Sequence, residues 1–337
     1  MVSIVVVTRA ALYIARRASS WVIEEHLRGR SPQCAAVDPH RPTQVYCGTA
    51  SAGLFRSRDG GRNWEPVGPG IDHPTVTAVA VGQAERAGEF GILYAGTEPS
   101  AVFRSDTGGD NWVDLAGLRA LPSADTWSFP PRPDTHHVRW IEADASTADR
   151  VFVAIEAGAL VRTFNGGRTW RDRVRGGPYD THTAATHALA PGRIYSAAGD
   201  GYFESTDAGE SWRSPDDGLE HRYLVGIAVD PADPDSVIVS ATSGPGRAYA
   251  SRQAEAYVYR KTGLQRWKRA MSGFPEAKGT TASRFATHSG EPGVIYGANN
   301  HGVFRSDDAG RSWKALDISW QKPGLEDGVA ALVCLPE

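Results

Sequence analysis

Four histidines occur at one recurring place in the chain, each one or two residues after an acidic residue. The four pairs are Asp72 and His73, Asp134 and His136, Asp180 and His182, and Glu220 and His221. Only ten histidines occur in 337 residues, so four of them at one place of a repeating pattern exceed chance. Neutral imidazoles that converge on one point bind Fe, Cu, Zn or Ni, and adjacent carboxylates fix their tautomers. We therefore predict that these four histidines together bind one divalent transition metal.

Two other interpretations of the four histidines stay open. A metal-free site could use them as general acids and bases. A histidine before a strand can also simply cap a loop or bond to a carbonyl, and a repeat would duplicate that habit. The corresponding segments that begin at Pro32 and Gly279 contain no histidine, so the pattern does not extend to every repeat.

Further side chains could take part in catalysis near the histidines. The candidates are Asp134, Asp180, Arg139, Tyr223 and His187. The two carboxylates could act as acid and base, and Arg139 would suit a carboxylate or phosphate group on a ligand. A long segment at 118–134, which contains Trp127, Phe129 and three prolines, could cover the site as a lid. We predict no site for an organic cofactor.

An internal repeat determines which elements must position these side chains. Five segments share a Ser/Thr-x-Asp/Asn/Thr-x-Gly-x-x-Trp pattern, and we name them the turn repeats: 57–64, 105–112, 163–170, 205–212 and 306–313. A sixth segment, 259–267, keeps the glycine and the tryptophan. The tryptophans, at 64, 112, 170, 212, 267 and 313, are separated by 48, 58, 42, 55 and 46 residues. Intervals near fifty residues are typical of a four-stranded propeller blade.

The residue types around each turn repeat predict strands. Alternating β-branched and aromatic runs precede every repeat, for example 45–48 and 53–57 before the first. Within a repeat the hydroxyl and carboxylate can bond to turn amides, the glycine supplies a positive φ, and the tryptophan buries a large ring. No convincing amphipathic helix is present, which predicts an all-β protein.

On these repeats the chain resembles the Asp-box β-propellers, a superfamily that includes sialidases, sortilin-type ectodomains, xyloglucan-cleaving glycoside hydrolases and photosystem II assembly factors. The resemblance covers nearly the whole chain. It implies that the turn repeats lie on the outer edge of the propeller, so that the carboxylates of Asp59, Asp106, Asp207 and Asp308 serve turns and not catalysis. Because these relatives share an architecture and not a chemistry, the resemblance leaves the function open.

We predict a single domain over residues 1–337, a β-propeller of four-stranded antiparallel blades. Six blades follow from the repeats. Residues 1–29 read as three strands and residues 325–337 as one, and together they form a seventh, closing blade that removes exposed sheet edges. Seven blades is our prediction, and six blades with a trailing strand is the alternative.

Composition limits the partners. The formal net charge is −3, so we expect neither nucleic acid nor a membrane as a partner. The three cysteines, Cys34, Cys47 and Cys334, are too few for a disulfide framework, which favours the cytoplasm. The apolar run at 2–7 is shorter than the core of a secretion signal, so we predict a strand there, with a weak export signal as the alternative. The sequence does not indicate an oligomeric state.

The sequence therefore predicts a metal-dependent enzyme, an oxygenase, lyase or hydrolase, that acts on a small molecule at a histidine-lined mouth of the propeller channel. A non-catalytic scaffold or assembly factor is one alternative. A glycoside hydrolase is another, although the Phe/Tyr-Arg-Ile-Pro start of sialidases is missing.

Overall fold

The computed structural model describes residues 2–320, 324–326 and 328–336. The strands of the first half are, in chain order, β1 (Val2–Val7), β2 (Leu12–Arg17), β3 (Trp21–His26), β4 (Pro32–Val37), β5 (Val45–Thr49), β6 (Leu54–Ser57), β7 (Glu65–Val67), β8 (Thr75–Ala87), β9 (Phe90–Glu98), β10 (Val102–Ser105), β11 (Val113–Asp114), β12 (Val138–Ala143) and β13 (Val151–Ile155). Those of the second half are β14 (Ala159–Thr163), β15 (Thr181–Thr186), β16 (Ile194–Ala198), β17 (Gly201–Ser205), β18 (Tyr223–Asp230), β19 (Asp233–Thr242), β20 (Tyr257–Thr262), β21 (Lys268–Arg269), β22 (Arg284–Ala286), β23 (Ile295–Asn299), β24 (Gly302–Ser306), β25 (Lys314–Ala315) and β26 (Ala331–Pro336).

These strands form seven antiparallel sheets, the blades of a seven-bladed β-propeller. Blades one to six follow one another along the chain and begin at β4, β8, β12, β15, β18 and β22. The first strand of each blade contacts the first strand of the next, and this inner ring surrounds a central channel. Apart from strands, the described residues contain three short 3-10 helices, Ala116–Ala120, Ala124–Thr126 and Pro245–Arg247. None of the helices in this part of the chain is long and apolar enough to cross a membrane.

The closing blade joins the two ends of the chain, as predicted. Its strand order is β26-β1-β2-β3, so that the C-terminal strand lies innermost and the three N-terminal strands follow outward. β26 runs antiparallel to β1, with Ala331 opposite Val7 and Pro336 opposite Val2. The inner strand β26 also contacts both β22 and β4, which completes the ring. The seven-bladed prediction is confirmed.

Blades three and four differ from the predicted four strands because their outer strands are reduced to single bridges. Arg162 bridges Arg171, and Glu204 bridges Arg213. In blade three the next residue, Asp172, turns its carboxylate to the backbone amide and hydroxyl of Ser123 instead of continuing the ladder. In blade four Pro215 follows two residues after the bridge and has no amide hydrogen to donate.

The turn repeats fold as hydrogen-bonded turns between the third and fourth strands, far from the inner ring. In the first repeat Ser57 Oγ donates to Asp59 Oδ1 at 2.8 Å and accepts the Gly61 amide at 2.7 Å. Asp59 also accepts the Asn63 amide at 2.9 Å. Burial opposes the charged form of Asp59, but these hydrogen bonds outweigh it and hold its pKa at about 2. Such carboxylates are occupied by their turns.

The hydrophobic core lies between adjacent blades. Tyr94 of blade two packs with Val138 and Val153 of blade three. Between blades four and five, Tyr202 meets Trp267 edge to face with ring centroids 4.9 Å apart. Each blade is thus held by its neighbours, which leaves the channel mouth free to carry polar side chains.

Candidate functional site

The inner strands of blades one to five each contain a β-bulge at the same level, near the channel mouth. In each case one residue is inserted between two regular pairs of the ladder. The inserted residues are Gln33, Thr77, Arg139, His182 and Val225. A bulge leaves its extra residue out of the ladder and redirects the side chain, and bulges are frequent beside active sites. Two neighbouring blades therefore redirect an arginine and a histidine.

The bulges place the four predicted histidines at three different levels. His182 is itself the inserted residue of blade four. His136 lies three residues before the bulge of its blade, and His73 and His221 lie four residues before theirs. A bulge inserts one residue into a strand, and the apolar alternation continues after it. When the inner strands are aligned by their apolar residues, the residues before the bulge are therefore placed out of register with one another.

All four histidines pack against aromatic rings. The pairs are His73 with Phe103 at 6.3 Å, His136 with Trp127 at 5.7 Å, His182 with Tyr223 at 4.9 Å, and His221 with Tyr257 at 4.1 Å between ring centroids. Burial lowers the pKa of His136 and of His221, with nearby positive charge on His137 and Arg269 acting in the same direction. Both effects favour the neutral form of His136 and His221.

Two other predicted side chains, those of His187 and Asp134, do not lie beside His182. His187 is buried, and its Nε2 and Nδ1 bond to the backbone of Asp230 and Leu189. Asp134 is exposed at the end of the long segment before blade three. Within that segment Phe129 packs edge-on against His137 with ring centroids 5.0 Å apart, so the segment contacts the residue directly before the inner strand of blade three.

His182 has a defined tautomer. It is fully buried, and its Nδ1 lies 2.5 Å from the carbonyl oxygen of Leu224 in blade five. A carbonyl only accepts, so Nδ1 carries the proton and donates it. The lone pair of the neutral ring is then on Nε2, which faces the mouth. Nε2 is available to bind a metal or to accept a proton.

Glu156 follows β13 and faces His182 with one oxygen. Its Oε2 is held by His137 Nε2 at 2.7 Å and by Arg139 Nε at 3.1 Å. Its Oε1 lies 4.0 Å from His182 Nε2. Burial opposes the charge on Glu156, but the Arg139 guanidinium and the His137 hydrogen bond outweigh it and hold the pKa at about 2. Glu156 is therefore an anion at neutral pH.

Asp180, directly before β15, is arranged in the same way. Its Oδ1 accepts the Ala157 amide at 2.8 Å, and its Oδ2 lies 3.5 Å from His182 Nε2. Gly199 leaves the necessary space, because a Cβ added there would come within 2.1 Å of Asp180 Oδ2. The glycine thus allows this carboxylate to turn inward.

Glu156, Asp180 and His182 form a group that could hold a metal ion, and we name it the mouth triad. Their ligand atoms lie within 4.8 Å of one another, and no other group of three such residues meets this condition in the described chain. Two ligands of one zinc ion are roughly 3.4 Å apart when metal bonds are about 2.1 Å long. The two separations from His182 Nε2, 3.5 and 4.0 Å, are close to that value.

Tyr223 and Tyr249 border the mouth triad. The Tyr223 hydroxyl lies 3.4 Å from His182 Nε2 and 3.4 Å from the Tyr249 hydroxyl. Burial raises the pKa of Tyr223, with a contribution from Tyr249, so the phenol stays protonated. Tyr223 can therefore donate a hydrogen bond at the mouth.

The structure thus brings together Asp180, Arg139, Tyr223 and His182 among the predicted residues and adds Glu156, His137 and Tyr249. A signal for Glu156 is present in the sequence. It occupies the position after the second strand of its blade, where the corresponding residues in blades one and four are Ala50 and Gly199. In blade two the corresponding residue is Glu98, so blades two and three have an acidic residue at a position where blades one and four have a small one.

Below the mouth, the inner strands enclose a narrow cavity of about 60 Å³ in the channel. Arg139 and Arg284 line it together with the polar side chains of Gln33, Thr77 and Thr183 and with small and apolar residues, and all seven blades contribute. The volume suffices for a few water molecules or a single small polar group. A larger molecule could therefore enter the channel only with one end.

Solved structures similar to this chain include a GH74 enzyme, YCF48 and the WD40 propeller domain of Doa1. A GH74 enzyme from Niastella koreensis has a TM-score of 0.66 and 15% identity, with 92% of this chain and 53% of that chain covered. YCF48 from Cyanidioschyzon merolae has a TM-score of 0.56 and 14% identity over 84% of each chain. The WD40 propeller domain of Doa1 has a TM-score of 0.59 and 11% identity, covering 92% and 91%.

These similarities show the propeller fold alone, because all the identities are low. The chain spans about half the length of the Niastella koreensis enzyme. No protein-family model matches the sequence, and no curated protein matches it.

Proposed function

We propose that this propeller is a metal-dependent enzyme that acts on a small molecule at the channel mouth, with the metal bound by the mouth triad. One observation carries the proposal. Each triad residue is fixed by the protein through one polar atom and points its other polar atom at the other two residues. Metal sites are typically built in this way, since outer hydrogen bonds orient the ligands and set the histidine tautomer.

The donor set narrows the metal. One imidazole and two carboxylates form a ligand set of intermediate hardness. Such a set suits Zn or Fe better than Cu, which favours softer ligands. Three protein ligands leave coordination positions open for water and for a substrate oxygen. A metal at this place would polarise such an oxygen or lower the pKa of a bound water. The Tyr223 hydroxyl lies within reach to donate a hydrogen bond to the same oxygen.

The test is elemental analysis of protein purified without an affinity tag, before and after incubation with Fe, Zn, Cu or Ni salts. We expect about one metal ion per chain in the wild type. An Asp180→Ala, His182→Ala double variant should lose the metal and remain folded by circular dichroism. A matched control, His73→Ala, removes a histidine from the same end of the propeller but outside the triad and should keep the metal.

Two results would refute the metal site. One is the absence of bound metal in the wild type under all four conditions. The other is equal metal content in the wild type and the double variant. Either would leave His182 Nε2 and the Tyr223 hydroxyl as a metal-free acid–base pair, supported by their 3.4 Å separation.

Two alternatives follow from the architecture. A glycoside hydrolase is compatible with the fold shared with GH74 enzymes. A non-catalytic scaffold is compatible with the fold shared with YCF48, which has been solved bound to D1 peptide. The converging triad favours chemistry over scaffolding, and metal analysis separates the first proposal from both.

We also propose membership of the Asp-box superfamily and a cytoplasmic location. The first is supported by repeated turn bonds, since Ser205 Oγ and Ser306 Oγ bond Asp207 and Asp308 as Ser57 Oγ bonds Asp59. The second is supported by three free cysteines.

A further inference from the structure

Arg284 carries a charge in the channel, and no ion pair joins it to any carboxylate of the described residues. It is the first residue of β22 and lines the cavity below the mouth. Its Nη1 donates to the Val225 carbonyl at 3.0 Å, and its Nε donates to the Val329 carbonyl at 3.3 Å. In the described chain no carboxylate oxygen lies within 4.0 Å of its guanidinium. Both of these partners are neutral, and the two bonds use two of the five N–H donors of the guanidinium.

A second guanidinium shares the same cavity. Arg139 also lines it. Among the described residues its one paired carboxylate is that of Glu156, which His137 binds as well. Burial lowers the pKa of Arg284 to about 10, and the positive charge of Arg139 acts in the same direction. A desolvated cation beside another cation is costly unless an anion compensates it. The cavity therefore has the charge of an anion site.

The size of the cavity limits the anion. About 60 Å³ accommodates a single carboxylate or phosphate group and not a whole sugar or nucleotide. Guanidinium groups bind both kinds of oxyanion through paired N–H donors. Arg139 connects this cavity to the mouth triad, since its Nε contacts Glu156. An anion held here would position the rest of its molecule at the triad.

We propose that Arg284 and Arg139 bind an oxyanion, a carboxylate or a phosphate, at one end of the small molecule on which the enzyme acts. The identity of this molecule as the substrate rests on the proposed function. Anion binding itself does not, because both arginines lie outside the triad and need no metal. The molecule would enter the channel with its charged end and leave its reacting end beside His182.

Thermal unfolding of chelator-treated protein tests the anion site without any metal. The unfolding temperature is followed against rising sodium phosphate or sodium acetate, with sodium chloride keeping the ionic strength constant. A ligand that binds only the folded state raises this temperature in a saturable way. We expect saturation with at least one of the two anions, and the one with the lower half-saturation concentration identifies the group.

Arginine variants test whether the anion binds at Arg284. Arg284→Gln should raise the half-saturation concentration at least tenfold, and Arg284→Lys, which keeps the charge but not the paired donors, should raise it less. Arg222→Gln is the matched control, because Arg222 is an exposed arginine paired with Asp216 at 2.9 Å, and it should leave the value unchanged. If Arg284→Gln does not fold, the lysine variant alone carries the comparison.

The outcomes separate the two proposals. An Asp180→Asn variant should lose metal yet keep saturable anion binding, so failure of the metal site leaves the anion site standing. A wild type that shows no saturation with either anion would overturn the anion site. Equal half-saturation in the wild type and the Arg284 variants would overturn it as well.

Discussion

Replacing Glu156 by glutamine tests whether its charge stabilises the inner ring as the geometry indicates. The carboxylate is almost buried between His137 and Arg139, at 2.7 and 3.1 Å, with 14% of its side chain exposed. Its pKa is about 2 in the folded protein, compared with 4.5 for a free glutamate. A depression of about 2.5 pKa units corresponds to roughly 3 kcal/mol of folding free energy at pH 7. Glu156→Gln should therefore lower the free energy of unfolding by about that amount.

The sign of the pH dependence follows from the lowered pKa. The stabilisation is complete above the unfolded-state value near 4.5 and is lost as the pH falls toward 2. The difference between wild type and variant should shrink from about 3 kcal/mol at pH 7 to less than half of that at pH 3. Urea denaturation at both pH values measures it.

An exposed ion pair provides the control for this experiment. Glu89 pairs with Arg41 on the surface, where two thirds of its side chain are exposed. Glu89→Gln should change stability by less than about 0.5 kcal/mol at either pH. A loss below about 1 kcal/mol for Glu156→Gln, or a loss of equal size at pH 7 and pH 3, would refute the reasoning.

Two further predictions follow from single contacts. Gly199→Ala should displace the Asp180 carboxylate, because the new Cβ would lie 2.1 Å from its Oδ2, and we expect at least a tenfold loss of metal affinity by titration with little change in secondary structure. Asp59→Ala removes the acceptor of two turn amides at 3.0 and 2.9 Å, so chemical denaturation should show a loss of about 1–2 kcal/mol. The metal content of Asp59→Ala should equal that of the wild type. A changed metal content would mean that the turn repeats affect metal binding at the mouth triad.

The propeller could be predicted from sequence because its determinants are local and repeated. Each turn repeat contains the residues that form the hydrogen bonds of its own turn, and the spacing of the tryptophans gives the length of a blade. The closing blade followed from strands at both ends that had no other partner. The single bridges of Arg171 and Arg213 could not be predicted from the sequence. A charged segment after a tryptophan can pair with the third strand or leave the sheet, and its composition is nearly the same in both cases.

The site was only partly predictable because it depends on bulges. His182 and Arg139 face the mouth because each is an inserted residue, and nothing in the apolar pattern marks an insertion. Glu156 follows the second strand of blade three, whereas His182 lies in the first strand of blade four. The two side chains meet only because blade three packs against blade four. Such contacts arise from the pairing of separate blades and are not encoded in any one repeat.

The position of β26 has a consequence for the synthesis of the protein. Its partner β1 is made first, and all six of its residues are buried apolar or small side chains in the finished blade. The chain must grow from Val7 to Ala331 before the two strands can pair. At about 5–20 residues per second, this takes roughly 16–65 seconds. During that interval the edge of β1 that will pair with β26 has no partner strand, and an unpaired apolar edge of this kind can pair with other chains.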